Sequence, residues 1–413
     1  MTMRFRTVSM LMLGFAMMAL AGCDHYNCSS GANFGSSSCT GGTLSLGGGG
    51  GTTGNATAAF AFAVDEAGTI DGYTLNTTAG TFEATSGYTA PTVPTSELGL
   101  GMVVAQTQFL YAAFAGTGQI FGWTIGSGGG LTTIAGSPFA ASYLIGGVDG
   151  GPESVIVNPA GTFLFVENTS GESIHVYSIG SGGVLSEVSG SPFAIPFFPA
   201  NMATDGQGKY LYVTENLGGT NSNEVGAYSI NSSTGALTAV SGSPFPYAMW
   251  QVQGEPTGNY LIGITGELSG DSHLYVFTIS QSTGAITQSQ AVSTVYLPYS
   301  IAVQPNTGGN LVYSFSINSD STGFNPIEGY ALSGGTLTAV SGSPFSNVSD
   351  GSWGQFDQTG ALLFPYADIY DPSTGVTTIQ LGADDVASTG ALTQPVSPAA
   401  LATAGVWVVT DAP

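Results

Sequence analysis

Apolar positions along most of this 413-residue chain fall in short runs separated by Gly, Ser, Thr and Asn, with no sustained helical spacing. The stretch from Phe163 to Phe193, FLFVENTSGESIHVYSIGSGGVLSEVSGSPF, shows the unit. FLFVE and SIHVYSI are rich in β-branched and aromatic residues, and a Gly-Ser-Gly-Gly turn leads into VLSEVS, so three strands are expected. A fourth strand, Ser154 to Val157, precedes them across Asn158-Pro159-Ala160-Gly161, a turn-forming cluster. Together they make one antiparallel four-stranded meander.

Two columns count the copies. Tyr177 stands two residues before an aliphatic, and the corresponding pairs are Tyr73/Leu75, Trp123/Ile125, Tyr228/Ile230, Phe277/Ile279, Tyr330/Leu332 and Ile379/Leu381. Phe82, Leu131, Leu185, Leu237, Ile286, Leu337 and Leu392 each open a last strand after a Gly-containing turn. Both columns give seven copies at a spacing of about 50 residues, in the range of propellers and arrays. Ser-Pro-Phe, starting at Ser137, Ser191, Ser243 and Ser343 with a worn form at Ser397-Pro398-Ala399, ends the last strand of a copy. Proline there is expected to blunt an unpaired outer edge.

The first copy lacks an inner strand: the chain enters directly at AAFAFAV from Ala58, and Val406 to Asp411 supplies an inner-strand pattern and then stops. The expected fold is therefore all-β, a seven-bladed β-propeller over residues 58–413 with four-stranded antiparallel blades. Its ring would be closed by the C-terminal strand pairing into the N-terminal blade. Packing of each blade between two neighbours accounts for strands that are apolar on both faces.

Residues 1–22 fall outside that domain. Arg4 and Arg6 precede an apolar run from Val8 to Leu20, and Leu20-Ala21-Gly22-Cys23 resembles the lipobox of bacterial lipoproteins. That resemblance implies acylation of Cys23, a membrane anchor, and a place in the bacterial cell envelope facing outside the cytoplasm, in the periplasm or at the cell surface. The apolar run is shorter than the roughly 20 residues a spanning helix needs. Residues 23–57 are a Gly/Ser-rich tether by composition. Cys28 and Cys39 lie in it, either joined as a disulfide in an oxidising compartment or as two free thiols.

Charge narrows the partners. Lys and Arg total three against 26 Asp and Glu, and removal of the first 22 residues leaves Lys209 as the one base. Nucleic acid is excluded, because phosphate binding needs a basic patch. Charged residues are 7% of the chain, so the surface is mostly neutral and polar. Such a surface changes little when carboxylates protonate, and tolerance of acid is expected.

The unit VNPAGTFLFVENTSGESIHVYSI...GVLSEVSGSPF, and again NSSTGALTAVSGSPF from Asn231, resembles the repeat of bacterial lactonase-family seven-bladed propellers, the family that includes 6-phosphogluconolactonase. The likeness covers residues 58–413, and its motifs specify blades rather than chemistry. It implies opening of a sugar lactone without a metal or other cofactor. A sugar phosphate, however, is normally held by Arg or Lys. Lys209, in the turn between the first and second strands of blade 4, is the only such side chain left, which disfavours a phosphorylated substrate.

Candidate site residues follow from the repeat alignment. The first inward positions of the inner strands are Met102, Glu153 with Ser154, Asn201, Met249 with Trp250, Ser300, Trp353 and Trp407. This ring of aromatic and small polar groups suits a neutral carbohydrate or another flat ligand, or else plugs the tunnel. Glu153 is the carboxylate on it and the natural general base. His273 with Asp271 is a second acid-base candidate, whereas His175 is expected to be packed in mid-strand. No Ser-His-Asp order or metal-ligand spacing stands out. Loops between second and third strands add acids on the same face: Asp65, Glu66, Glu167, Glu172, Glu215, Glu224, Glu267, Asp271, Asp320, Asp368 and Asp371. They form a solvated rim or a surface for a cation or basic protein. Specificity would sit in the long loops Glu215 to Glu224, Phe315 to Pro326 and Tyr366 to Thr374. The leading expectation is a monomeric binding or scaffold module for a neutral carbohydrate or protein partner. The alternative is a hydrolase of an unphosphorylated sugar lactone.

Overall fold

The computed structural model describes residues 59–64, 69–76, 81–91, 93, 100–114, 118–140, 152–168, 171–215, 224–266, 270–305, 310–316, 325–346, 348, 351–371, 376–401 and 407–411. The signal-like residues 1–22, the tether, Cys23, Cys28, Cys39, Asp65, Glu66, Glu267 and Asp320 lie outside them.

The described strands form seven antiparallel sheets, the blades of an all-β propeller. Blade 3 runs Pro152–Val157, Phe163–Asn168, Ser173–Ile179 and Leu185–Glu187 from the inside outward. Every residue of Phe163–Asn168 is buried, as a strand sandwiched between two sheets requires. In blade 1, Ala59–Val64 pairs on one side with Ile70–Asn76 and on the other with Trp407–Asp411, Ala61 standing opposite Val409.

Neighbouring blades are held by a repeated contact. The turn joining the third and fourth strands carries a glycine at positive φ, and an aromatic residue at the start of the preceding blade's second strand covers it. A Cβ on Gly129 would come within 2.8 Å of Phe60, on Gly183 within 2.6 Å of Phe109, on Gly235 within 2.7 Å of Phe163, and on Gly335 within 2.7 Å of Tyr260. Two residues on, alternate blades place a tyrosine whose hydroxyl donates to the carbonyl beneath. Tyr111 bonds Gly183 O at 2.6 Å, Tyr212 bonds Gly284 O at 3.0 Å, and Tyr313 bonds Gly390 O at 2.9 Å. Each hydroxyl is satisfied inside an otherwise apolar packing layer.

Three expectations are corrected. Ser-Pro-Phe does not end the ladder as a blunted edge. Its serine hydroxyl accepts the N–H of the third strand, from Gly122 to Ser137 at 2.9 Å, Val176 to Ser191 at 3.0 Å, Ala227 to Ser243 at 2.8 Å and Gly329 to Ser343 at 3.0 Å. The phenylalanine then rejoins the third strand, Phe139 opposite Ile120 and Phe193 opposite Ile174, so blades 2 and 3 gain a fifth short strand. The four Ser-Pro bonds are cis.

The second correction is in blade 7. Val386 pairs with Leu392 as Ile179 pairs with Leu185, so the aromatic-aliphatic column runs through Asp384 and Val386 rather than Ile379 and Leu381. A buried aspartate in the aromatic position moved the apolar reading five residues upstream. For the same reason Tyr366 to Thr374 is not simply a loop: Leu362–Asp371 and Val376–Val386 extend as a long hairpin.

Third, the acidic rim is not uniformly solvated. Glu167 and Glu215 are buried, and Glu215 accepts the Glu224 N–H at 3.1 Å. Glu172 is exposed.

His175 is packed in mid-strand, with Nδ1 2.9 Å from Glu187 Oε1. Burial holds its pKa below the ordinary imidazole value, partly offset by Glu187. The unfolded chain therefore binds this proton first. Stability from His175 is full above about pH 6.5 and falls as the pH drops below it, by at most about 1.4 kcal/mol per pH unit. His175→Gln should flatten that part of the profile in denaturant titrations; an unchanged slope would contradict the assignment. Ser243→Ala, which strips the acceptor from the buried Ala227 N–H, should cost about 1–3 kcal/mol in the same measurement.

Candidate functional site

Inner strands are laced to one another around the propeller axis by side chains that bond the next blade's backbone. Asn201 Oδ1 accepts Val252 N–H at 3.1 Å, Gln251 Oε1 accepts Ile301 N–H at 2.8 Å, and Gln253 both accepts Val303 N–H at 3.0 Å and donates to Ile301 O at 2.9 Å. Ser300 Oγ donates to Ser352 O at 3.0 Å, and Gln304 to Gly360 O at 2.7 Å. Period-2 alternation along each strand aims these amides and hydroxyls at the axis side of the adjoining blade.

The predicted rim residues therefore divide. Asn201 is half-buried and Ser300 fully buried, each used in lacing. Met102 is buried with Phe60, Phe62 and Trp123 between blades 1 and 2. Trp250 is partly buried against a cluster containing Ile262 and Ile264, and its carbonyl accepts the Thr214 hydroxyl at 3.1 Å. Trp353 stands edge-on to Tyr299 with ring centroids 5.8 Å apart. Glu153 and Ser154 lie on Pro152–Val157, and Trp407 opens Trp407–Asp411 opposite Ala63. The side chains of these three lie outside the described residues.

A cavity of about 360 Å³ lies farther along the axis, toward the turns between first and second strands. Val103, Val104, Ala302, Val303 and Phe356 give it apolar walls, and Gln253, Gln355 and Gln358 give it amides. Asp357 also lines it, but its Oδ1 accepts the Leu362 N–H at 2.8 Å and its Oδ2 the Thr359 hydroxyl, so it caps the turn. No Lys, Arg or His is among the described lining residues. The sequence reading missed Gln253 and Gln355 because it stopped at the first inward residue of each strand. Continuing by twos along the strand leads from Met249 through Gln251 to Gln253 and from Trp353 to Gln355.

The His273 pair is on blade 5, at the outer end of the face where second-to-third loops gather. His273 Nδ1 bonds Asp271 Oδ1, and the Tyr275 hydroxyl donates to Asp271 Oδ2 at 2.5 Å. Burial alone would raise the Asp271 pKa, but these two hydrogen bonds stabilise its anion and hold it below the ordinary carboxylate value. Tyr275 is pushed up to about 12 by burial and by the Asp271 charge. Among the described residues no group of three His, Cys, Asp or Glu is placed to hold a metal.

Comparison with known proteins places this geometry. Residues 146–252 match the family described as Lactonase, 7-bladed beta-propeller. No curated protein matches the chain. Among solved structures, a Bacteroides uniformis protein provisionally named a 6-phosphogluconolactonase is similar at 15% identity and TM-score 0.62, over 86% of this chain and 100% of that one. The periplasmic gluconolactonase of Pseudomonas aeruginosa is similar at 12% identity and TM-score 0.61, over 86% and 99%. A Lactobacillus plantarum protein is similar at 17% identity and TM-score 0.59, over 86% and 99%. At these identities the likeness concerns the fold. The chain is thus a seven-bladed β-propeller in which residues 146–252 match the model of the lactonase family of such propellers.

Proposed function

We propose that this chain is a propeller exported from the cytoplasm and anchored through acylated Cys23, and that it binds a neutral sugar or sugar lactone on its axis. The observation that carries the ligand class is the chemistry of the axial cavity. Its volume of about 360 Å³ falls in the range of small-molecule sites, it combines amides with apolar walls, and none of its described lining residues is a cation for phosphate. Gln253 keeps one amide proton and one lone pair beyond its two bonds to blade 6, enough to engage a hydroxyl or ring oxygen. Trp353, two residues before Gln355 on the same strand face, offers a stacking surface on the approach. The pairing of Ala59–Val64 with Trp407–Asp411 supports a ring closed by the C-terminal strand, which keeps the cavity walls in register.

A second reading, opening of an unphosphorylated sugar lactone, is favoured by the family match and by the gluconolactonase among the similar folds. In it Glu153 would serve as general base.

Calorimetry against a panel of neutral monosaccharides and their lactones tests both readings. Binding without turnover, weakened tenfold or more by Gln355→Ala or Trp353→Ala, is the expected result. Turnover abolished by Glu153→Gln would instead establish the hydrolase, and neither binding nor turnover across the panel would overturn the proposal. Metabolic labelling with a fatty-acid analogue should mark the wild-type chain and not Cys23→Ser; equal labelling would refute the anchor.

A further inference from the structure

Blade 5 departs from the repeat where blades 2, 3, 4 and 6 carry Ser-Pro-Phe. Its fourth strand, Ile286–Ser293, runs eight residues, whereas Leu185–Glu187 in blade 3 and Leu237–Ala239 in blade 4 run three. The extension brings Ser293 opposite His273, a place that Ala194 occupies opposite Ser173 in blade 3. Thr294 N–H donates to Ser272 O at 2.9 Å, so His273 and Ser293 are a pair without ladder bonds between them, the arrangement in which facing side chains lie closest. Ser293 Oγ is 3.1 Å from His273 Nε2.

We propose that Ser293, His273 and Asp271 form a hydrolytic triad on the outer edge of blade 5, acting on uncharged esters of short acyl chains. Asp271 accepts from Nδ1 and fixes the tautomer that leaves Nε2 free to accept from the serine hydroxyl; the Tyr275 hydroxyl holds the other carboxylate oxygen. Nucleophile, base and orienting acid are therefore in hydrogen-bond sequence, and recognition of such a set rests on geometry and roles rather than on order along the chain. The site is open to substrate: the His273 side chain is 38% exposed, and Val295, 68% exposed beside the serine, offers an apolar surface to an acyl chain. In a pair without ladder bonds the Ser293 N–H points away from the third strand, toward the outer edge of the blade, where it can donate to a developing oxyanion.

The reaction balances without a cofactor. Ser293 Oγ bonds the ester carbonyl carbon while its proton passes to His273 Nε2. The C–O bond breaks, and the alcohol leaves with that proton. Water then attacks the acyl-serine, giving its proton to Nε2, and the acid departs as Oγ recovers the proton. This site is separate from the axial cavity and does not depend on what that cavity binds.

The test treats the full chain with a fluorophosphonate and locates the adduct by peptide mass spectrometry, alongside p-nitrophenyl acetate turnover. Labelling at Ser293 is expected, with Ser293→Ala abolishing it and His273→Gln slowing it about 100-fold or more. Asp271→Asn should slow it comparably, and Asp271→Glu should recover part of the rate, which a carboxylate with only a structural role would not do. All three positions are at the surface, and circular dichroism checks that the four variants fold. A folded wild type that leaves Ser293 unlabelled, or labelling equally fast in His273→Gln, would overturn the proposal.

Discussion

One steric constraint recurs between blades: a turn glycine that has no room for a Cβ lies under a large residue at the start of the preceding blade's second strand. Phe60, Phe109, Phe163, Tyr210 and Tyr260 each press on such a glycine, and Leu311 does the same on Gly390. Positive φ already favours glycine at these turns, since an L side chain there strains the backbone. The close approach adds a second demand, because even a methyl group would overlap a ring edge. The interface between two sheets is thereby fixed in height and in spacing. A radial stack needs both if seven wedges are to meet around one axis.

That constraint also explains how the polar groups are arranged. With the blades held at short spacing, the tyrosine hydroxyls of alternate blades reach the turn carbonyls beneath them. At the axis, Asn201, Gln251, Gln253 and Ser300 reach the neighbouring inner strand and satisfy backbone groups that lie between blades. Neutral amides do this work with little dependence on pH or salt. Their unused hydrogen-bonding capacity is what the axial cavity can offer to a ligand.

Much of the fold was legible in the sequence because the repeating demands are local. A third strand, a glycine turn and an apolar residue at the start of the fourth strand recur in every copy, so Leu185, Leu237 and Leu392 marked the register correctly. The reading slipped where one copy broke the chemistry of its column, as at Asp384, a buried acid where other blades carry an aromatic. The role of Ser-Pro-Phe was hidden because its serine acts through a bond to the neighbouring strand, invisible in the motif itself. The site was less legible. Gln253 and Gln355 carry no signature apart from strand alternation, and the approach of Ser293 to His273 depends on pairing between strands that a linear pattern does not reveal. His273 with Asp271 could be found because they are two residues apart.

The steric account is tested most directly by two adjacent glycines of one turn. Gly182 and Gly183 both have positive φ, 76° and 80°, but a Cβ on Gly182 would meet nothing within 4 Å whereas one on Gly183 would come within 2.6 Å of Phe109 and Ile134. Equilibrium unfolding of Gly182→Ala and Gly183→Ala separates backbone strain from blade spacing. If blade spacing is the governing constraint, Gly183→Ala loses about 1–3 kcal/mol more than Gly182→Ala. Equal losses for the two variants would contradict it.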